Sequence, residues 1–323
     1  TGGAGFIGGN FIHYLHNNHK NVVNKVVCID SLEESSNLDY IQPLIDSGFV
    51  EFYKQDIYLI DGAEELDQYQ FEYIFNFAAQ THVDTSIKSP HLFIINNEMG
   101  TWYLLDWARR TQTKLKKFIH ISTDEVYGSL GSIWESSFTE ESTYQPNSPY
   151  SASKAASDHW VRAYHETYGL PTIVTNCSNN YGPNQHTEKL LPKVITNAMN
   201  DKPIPVYGNG ENIREWIWVE DHCKAVWQVA TKGTEGHIYN IGSGNEQRNI
   251  DVVKAILDLM KLPHDLIEYV EDRKGHDLRY SINYEKLATE LGYAPKNSFE
   301  KGLSSTIDWY VKNENWWKKI KRK

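Results

Sequence analysis

The sequence is poor in cysteine and contains no long apolar run. Its three cysteines, Cys28, Cys177 and Cys223, are scattered through 323 residues. So few thiols at such spacings exclude a disulfide framework and a zinc-finger type of site, and they favour a reducing cytoplasm. No stretch approaches the roughly 20 consecutive apolar residues of a membrane-spanning helix. The histidines lack metal-ligand spacing, so we expect no metal.

An excess of positive charge is also missing. The chain has 32 basic and 42 acidic side chains, which gives a formal net charge of -10. Nucleic acids and anionic membranes attract basic surfaces, so we expect neither as a partner. Hydrophobic residues nonetheless make up 40% of the chain and aromatic residues 13%, which is ample for a globular core.

The first half of the chain alternates short β-branched or aromatic runs with stretches of helical periodicity. This alternation predicts an α/β fold of the Rossmann type, with a doubly wound parallel sheet. The predicted strands are 25–30, 50–53, 73–77, 117–122 and 171–176. The predicted helices are 6–18, 90–110 and 148–168.

After Cys177 the pattern changes, because Pro, Gly and Asn separate shorter elements. We therefore expect a smaller C-terminal substrate-binding domain, formed by 177–215 and 242–323. The Rossmann domain is expected to contain 1–176 and about 216–241. In this half the predicted helices and strands are 221–231, 251–260, 299–311, 216–219 and 237–241.

A glycine-rich turn opens the sequence. Residues 3–8 satisfy the G-x-G-x-x-G pattern at the start of a helix, and Asp30 ends a strand about 20 residues after Gly8. An acid at that spacing binds a ribose 2′-hydroxyl and repels a 2′-phosphate, so NAD is favoured over NADP. The alternative is a structural turn with a surface aspartate. A phosphate-binding turn needs a strand before it, so we expect residues upstream of Thr1 that this sequence does not include.

Tyr150 and Lys154 are spaced i,i+4, on one face of a helix that Ser148 can cap. An ammonium group stabilises a neighbouring phenolate, so we expect Lys154 to lower the pKa of Tyr150 toward neutrality. Tyr150 would then act as the base for an alcohol that loses hydride. An ordinary surface helix is the alternative.

Asp124 and Glu125 directly follow the predicted strand 117–122. The carboxyl ends of parallel strands form the ligand-binding edge of such a sheet, so both acids are expected in a cleft there. An acid pair provides proton chemistry that a plain dehydrogenase does not need. An acidic loop without catalytic function is the alternative.

The sequence contains few arginine residues, so each one is a distinct candidate. Arg214, Arg273 and Arg279 belong to a small set of eight, and the guanidinium group suits bidentate contacts to phosphate. Each of the three is a candidate phosphate ligand, and each has a structural ion pair as its alternative.

Several segments resemble one known family. Residues 1–8, 122–128 and the Tyr150-x-x-x-Lys154 pair resemble the extended short-chain dehydrogenase/reductases, and specifically their nucleotide-sugar 4,6-dehydratases. Further segments that resemble this group are 78–84, 178–183, 188–190, 213–216 and 272–277. The resemblance covers essentially the whole chain.

The resemblance implies a tightly held NAD and a lyase reaction without net redox change. Tyr150, helped by Lys154 and Thr123, would take the proton of the glucose 4-hydroxyl. Glu125 would remove the C5 proton and Asp124 would protonate the departing 6-hydroxyl. The expected product is a nucleotide-linked 4-keto-6-deoxyglucose, as in rhamnose-type biosynthesis.

The resemblance also implies two sets of binding residues. The set for NAD is Gly2, Gly5, Phe6, Ile7, Gly8, Asp30, Asp56, Ile57, Ala78, Ala79, Asn97, Tyr150, Lys154 and Asn180. The set for the small-molecule nucleotide sugar is Thr81, Thr123, Asn179, Lys189, Leu190, Tyr207, Arg214, Asn249, Arg273 and His276. Family members pair two long helices per subunit, so 90–110 and 148–168 are expected to form a homodimer interface.

Related enzymes supply the rival interpretations. A C4-epimerase keeps the glycine-rich turn and the Tyr/Lys pair but needs no acid at Asp124, and a nucleotide-glucuronate decarboxylase usually has serine there. A non-catalytic NAD-binding protein would tend to lose the acids, Tyr150 or Lys154. The segments leave the nucleotide open between dTDP-glucose and UDP-glucose, because one methyl group on the base is worth only ~1–3 kcal/mol in a pocket.

Overall fold

The computed structural model describes residues 1–320, and its first half alternates helices with strands. The helices are α1 (Phe6–His19), α2 (Leu38–Asp46), α3 (Val83–Lys88), α4 (Pro90–Phe93), α5 (Gly100–Thr111) and α6 (Pro149–Tyr168). The strands are β1 (Val26–Asp30), β2 (Val50–Lys54), β3 (Tyr73–Asn76), β4 (Lys117–Thr123) and β5 (Thr172–Cys177).

The second half contains shorter elements. Its strands are β6 (Asn179–Tyr181), β7 (Ile204–Tyr207), β8 (Ile213–Trp218), β9 (Ile238–Ile241), β10 (Glu246–Arg248) and β11 (Ile267–Val270). Its helices are α7 (Leu190–Ala198), α8 (Val219–Lys232), α9 (Asn249–Met260), α10 (Glu285–Leu291), α11 (Phe299–Lys312) and α12 (Glu314–Ile320). None of the helices within residues 1–320 is long and apolar enough to cross a membrane.

The central sheet is parallel throughout. Strands β3, β4, β5 and β9 form one sheet in that order, and β1 pairs with β2. Thr1 and Gly2 connect the two parts, since the Gly2 amide donates to the Ile29 carbonyl at 2.8 Å and the Phe77 amide donates to the Thr1 carbonyl at 3.3 Å. The Rossmann-type fold class predicted from the alternating pattern is confirmed.

Helices cover both faces of this sheet, which is why its central strands are apolar on both sides. All six residues of β5 are buried. Phe11 of α1 and Val226 of α8 belong to the core on one face, and Leu105 of α5 and Val161 of α6 belong to the core on the other. Because the carboxyl ends of β1, β3, β4 and β5 meet at one edge, side chains that follow them converge there.

A second core lies among α7, α9 and α11. Strand β8 pairs with β6 and β10, and β7 pairs with β11, outside the central sheet. The expected division into a Rossmann domain and a substrate domain stays a prediction. The helix predicted for 90–110 differs in detail: α4 and α5 are joined by a π-helical turn, Ile94–Met99.

Candidate active site

Two adjoining cavities open at the carboxyl edge of the central sheet. The first, the dinucleotide cavity, extends from the glycine-rich turn and Asp30 to Tyr150 and Lys154. The second, the outer cavity, lies toward the second half of the chain. The two cavities share five lining residues, namely Thr81, Glu125, Asn179, Glu188 and Lys189. Glu125 therefore lies where the two cavities meet.

The glycine-rich turn is shaped so that only glycine fits at two of its positions. Gly2 has φ +66°, and a Cβ atom there would lie 2.6 Å from the Ala78 amide nitrogen. A Cβ atom on Gly8 would lie 2.3 Å from the Gly2 carbonyl oxygen. This close approach places the first turn of α1 at the wall of the dinucleotide cavity, where its free amides can bind a pyrophosphate.

Asp30 is held at the end of β1 by three hydrogen bonds. Its carboxylate accepts from the Ala4 amide at 3.0 Å, the Leu32 amide at 2.8 Å and the Ser36 hydroxyl at 2.8 Å. The side chain is only 6% exposed but lines the cavity. An oriented carboxylate beside the turn fits the ribose of NAD.

The structure brings almost all of the predicted NAD ligands to the cavity wall. They are Gly2, Gly5, Phe6, Ile7, Gly8, Asp30, Asp56, Ile57, Ala78, Ala79, Tyr150, Lys154 and Asn180. Asn97 differs, because it lies behind the wall. Its side chain exchanges hydrogen bonds with the backbone of Gln80 and donates to the Ser153 hydroxyl, so its polar atoms already have protein partners.

Asp124 and Glu125, the two predicted catalytic acids, are positioned by a tight turn at the end of β4. Thr123 caps the 3-10 turn Asp124–Tyr127, and its hydroxyl accepts from the Glu125 amide at 3.3 Å. Adjacent residues of a continuing strand would point to opposite faces, whereas this turn directs both Asp124 and Glu125 into the dinucleotide cavity. The Thr123 hydroxyl also donates to Asp124 Oδ1 at 3.3 Å.

The two acids have different electrostatic surroundings. Burial, with the negative charges of Glu125 and Glu215 added, raises the pKa of Asp124 well above its usual range. Asp124 is 2% exposed, and its Oδ2 has no hydrogen-bond partner among residues 1–320. Burial also raises the pKa of Glu125, but Arg214 and Lys189 oppose that effect. Asp124 therefore suits an acid and Glu125 suits a base.

Helix α6 presents Tyr150 and Lys154 to the same cavity. Its N-terminus is fixed by a capping box between Ser148 and Ser151. Lys154 donates to the Ile121 carbonyl at 2.8 Å, and burial lowers its pKa to about 8. Burial and the Glu125 charge raise the pKa of Tyr150 well above the usual value. Our expectation of a lowered pKa for Tyr150 is therefore not met, since burial and the Glu125 charge outweigh the hydrogen bond with Thr123, which lowers it.

The outer cavity gathers nine of the ten predicted sugar-nucleotide ligands, and Thr123 lines the dinucleotide cavity instead. The nine are Thr81, Asn179, Lys189, Leu190, Tyr207, Arg214, Asn249, Arg273 and His276. Arg214 lies 4.1 Å from the centre of the Tyr280 ring and donates to the carbonyls of Ile213 and Asp277. No acid pairs with Arg214 within the described chain, so its charge is available to an anion.

The other two arginine candidates have acid partners. Arg273 Nε lies 2.7 Å from Asp84, and its guanidinium covers the Tyr207 ring. Arg279 is 5% exposed and pairs with Glu246 at 2.6 Å, outside both cavities. Arg279 thus forms a structural ion pair, which was the alternative to its role as a phosphate ligand.

Several cavity residues were not predicted individually. Asp84 binds Arg273 and accepts from the Tyr207 hydroxyl at 3.1 Å, and His82, Glu188 and Tyr280 also line the outer cavity. The sequence signal for Asp84 and Glu188 was their place in the segments 78–84 and 188–190, which resemble the family. No such signal pointed to Tyr280. Among residues 1–320 there is no group of three or more metal-ligating side chains placed to hold an ion.

Comparisons with known proteins agree along the whole chain. Residues 1–306 match the protein family described as GDP-mannose 4,6 dehydratase. A dTDP-glucose 4,6-dehydratase of Escherichia coli is 46% identical over 99% of this chain and 95% of its own. The solved dTDP-glucose 4,6-dehydratase of Streptomyces venezuelae with NAD bound is 42% identical, with a TM-score of 0.94 over 99% of this chain and 98% of that one. The UDP-glucose 4-epimerase of Thermotoga maritima is 26% identical, with a TM-score of 0.87 over 97% of this chain and 98% of that one. The chain belongs to the GDP-mannose 4,6 dehydratase family.

Proposed function

We propose that this protein is an NAD-dependent lyase that removes water from dTDP-glucose and forms the nucleotide-linked 4-keto-6-deoxyglucose. The observation that carries the proposal is the convergence of two acids with a Tyr/Lys pair in one cavity. Asp124, Glu125, Tyr150 and Lys154 all line the dinucleotide cavity, and Glu125 also faces the outer cavity. An oxidation alone needs only Tyr150 and Lys154.

Each step of the dehydration has a suitable group. NAD, when held by the glycine-rich turn and Asp30, would supply the acceptor for the C4 hydride and the source of the hydride for C6. Tyr150 takes the proton of the 4-hydroxyl, with Thr123 and the Lys154 ammonium beside it. The resulting ketone acidifies C5, so that the Glu125 carboxylate can remove that proton and return it to C5 when hydride reaches C6. Asp124, whose raised pKa favours the protonated form, gives its proton to the departing 6-hydroxyl.

The outer cavity is suited to the nucleotide diphosphate. It is lined by the cations Lys189, Lys193, Arg214 and Arg273 and by the acids Asp84, Glu125, Glu188 and Asp277. Arg214 forms no salt bridge among residues 1–320, and Arg273 can exchange Asp84 for a phosphate. We therefore assign Arg214 and Arg273 to the diphosphate.

The relatives at 46–47% identity favour dTDP over UDP as the nucleotide. The epimerase at 26% identity shares the fold, so the fold does not separate the two activities. Asp124 does, because C4 epimerisation expels no hydroxyl group. We propose further that the product enters the synthesis of a 6-deoxysugar such as rhamnose, in the cytoplasm, where three buried free thiols would persist.

The deciding experiment incubates the protein with dTDP-glucose and UDP-glucose in parallel and measures the masses of the sugar nucleotides. Loss of one water from dTDP-glucose is the expected result, and the faster substrate identifies the base. An unchanged mass with conversion to the galactose configuration would replace the proposal with epimerisation. If both the mass and the configuration were unchanged, NAD binding without catalysis would be the remaining function.

The role of Glu125 has its own test. Glu125→Gln keeps the shape of the side chain but removes the base, so oxidation at C4 should proceed while water loss stops. We expect the absorbance of reduced nicotinamide to rise on addition of dTDP-glucose and to persist. Full turnover by this variant would contradict the assignment.

We also propose that the protein is a homodimer through the helical layer that contains α6. Helix α6 packs against α3, α4 and the π-helical turn, and this layer exposes several large apolar side chains. They are Ile87, Leu92, Ile94, Ile95 and Trp160. A second copy of the same layer would cover them.

A further inference from the structure

Behind the catalytic lysine lies a buried acid to which the reaction described above assigns no role. Asp158 is on α6, one helical turn after Lys154, so the two side chains share a face of the helix. It is 3% exposed and lies on the far side of Lys154 from Tyr150 along the helix. A carboxyl group buried to this degree is rare unless it is paired.

His120 lies between the acid and the lysine. Its Nε2 is 3.3 Å from Lys154 Nζ and 3.4 Å from Asp158 Oδ1, and the ring is fully buried in β4. Asn76 lies 3.1 Å from the other ring nitrogen and orients the imidazole. Burial and the Lys154 charge lower the pKa of His120 to about 4, so the ring is neutral at physiological pH. Because the His120 ring carries no net charge, the charged groups on either side of it are Lys154 and Asp158.

Asp158 is itself held in place but only partly satisfied. Its Oδ2 accepts from the Ser122 hydroxyl at 2.9 Å. Its Oδ1 has no hydrogen-bond partner among residues 1–320 that meets ordinary geometry. The residue lines a third cavity with Tyr144, His159 and His237, and none of these residues lines the dinucleotide cavity.

We propose that Asp158 is a positioning residue that keeps Lys154 in its charged form while Tyr150 removes the proton of the sugar 4-hydroxyl. The inference rests on the proposed dehydratase function. An opposite charge favours the ammonium form, and it acts strongly in a buried site of low dielectric. Without Asp158, burial alone would favour the neutral amine, which gives no electrostatic support to a phenolate.

Other groups also face Lys154 and have to be held constant. Tyr150 comes from its own helix, His120 from β4 and Cys177 from β5. Asp124 and Glu125 come from the turn after β4 and line the same cavity. Burial is the largest influence on the pKa of Lys154 and lowers it to about 8, whereas the charge of Asp158 raises it. None of the other groups needs to change in a test that alters Asp158 alone.

The sign of the expected pH effect follows from this balance. Lys154 assists in its charged form, so its contribution is present below its pKa and is lost as pH rises through about 8. Asp158→Asn removes the stabilising charge and should lower this pKa by about one unit. With that shift, the rate at pH 8 should fall about fivefold relative to the native protein, and the rate at pH 6 should change little. The ionisation of Tyr150, whose pKa is higher still, affects both proteins alike, so the alkaline limb is followed in the ratio of the variant rate to the native rate. A ratio that stays constant from pH 6 to pH 10 means an unchanged limb.

The measurement is the rate of nicotinamide reduction in single turnovers of the NAD-loaded protein with dTDP-glucose, from pH 6 to pH 10. This first step precedes the action of Asp124, so Asp124 does not shape the profile. Ser122→Ala is the matched control, because it removes the hydrogen bond to Asp158 but leaves the charge. It should keep the native limb, and Asp158→Glu should largely restore it.

An alkaline limb that is unchanged in folded Asp158→Asn would overturn the inference. So would an equal shift in Ser122→Ala, since the cause would then be packing. Asp158→Ser, which leaves room for water from the adjoining cavity, serves if the Asn variant does not fold. If the native protein reduced no nicotinamide with either sugar nucleotide, the proposed function itself would fail, which is a different outcome.

Discussion

Asp124 and Glu125 are neighbours in sequence but differ in what surrounds their carboxyl groups. Burial raises the pKa of both, but well above the usual range for Asp124, whereas Arg214 and Lys189 oppose the rise for Glu125 at the junction of the two cavities. The acid role therefore suits Asp124 and the base role suits Glu125. This difference comes from the turn capped by Thr123.

Asp124→Asn separates the role of the acid from that of the base. The variant cannot protonate the leaving 6-hydroxyl, and we expect product formation to fall by about 10²- to 10⁴-fold. Glu125 remains, so the C5 proton should still exchange. Incubation in D₂O followed by mass measurement of the recovered dTDP-glucose should show deuterium uptake with Asp124→Asn and none with Glu125→Gln. The reverse pattern would exchange the two assignments.

Asp30→Ala tests the ribose ligand. Hydrogen bonds to a charged group contribute about 1.5–3 kcal/mol each, so the dissociation constant of NAD should rise about 10- to 100-fold. Cofactor content after purification and calorimetric titration with NAD measure the effect. Asp39→Ala, at an exposed position of α2, is the control and should bind normally. Unchanged NAD content in Asp30→Ala would show that this carboxylate does not hold the ribose.

Single residues also mark the limits of prediction from sequence. Nine of the predicted sugar-nucleotide ligands lie on one cavity wall, and their role as ligands stays a prediction. The resemblance did not reveal that Asn97 forms hydrogen bonds with protein atoms or that Arg279 pairs with Glu246. Such partners lie far away in sequence and become visible only when the chain is folded. Asp158 escaped notice for the same reason, because its neighbour His120 comes from another element.

At the scale of elements, periodicity predicted the long helices and the buried strands well. Helix α6 begins and ends within one residue of the prediction 148–168, and β4 extends only one residue beyond 117–122. The short strands β6, β7, β10 and β11 were missed, because three or four residues carry little periodicity and their partners are distant in sequence. The π-helical turn was missed because its residues have ordinary helical propensity.

The junction between the glycine-rich turn and α1 should tolerate no side chain at Gly8. A Cβ atom there would lie 2.3 Å from the Gly2 carbonyl, which is backbone and cannot rotate away. We expect Gly8→Ala to lose about 2 kcal/mol or more of stability and to bind NAD poorly. Gly62→Ala is the control, because a Cβ atom there meets nothing within 4 Å. Thermal unfolding of both variants checks this, and equal melting temperatures would refute the steric argument.

At the scale of the whole molecule, the apolar surface on the helical layer around α6 determines the expected assembly. Ile95 is 37% exposed and lies in the π-helical turn that packs on α6. Burying a charge in a dimer interface is costly, so Ile95→Asp should shift the protein toward monomers. Ile133→Asp, on the loop between β4 and α6 and 60% exposed, should leave the assembly unchanged. Sedimentation velocity at micromolar concentration distinguishes the two masses. A native protein that sediments as a monomer, or an Ile95→Asp variant that sediments as a dimer, would remove this layer as the interface.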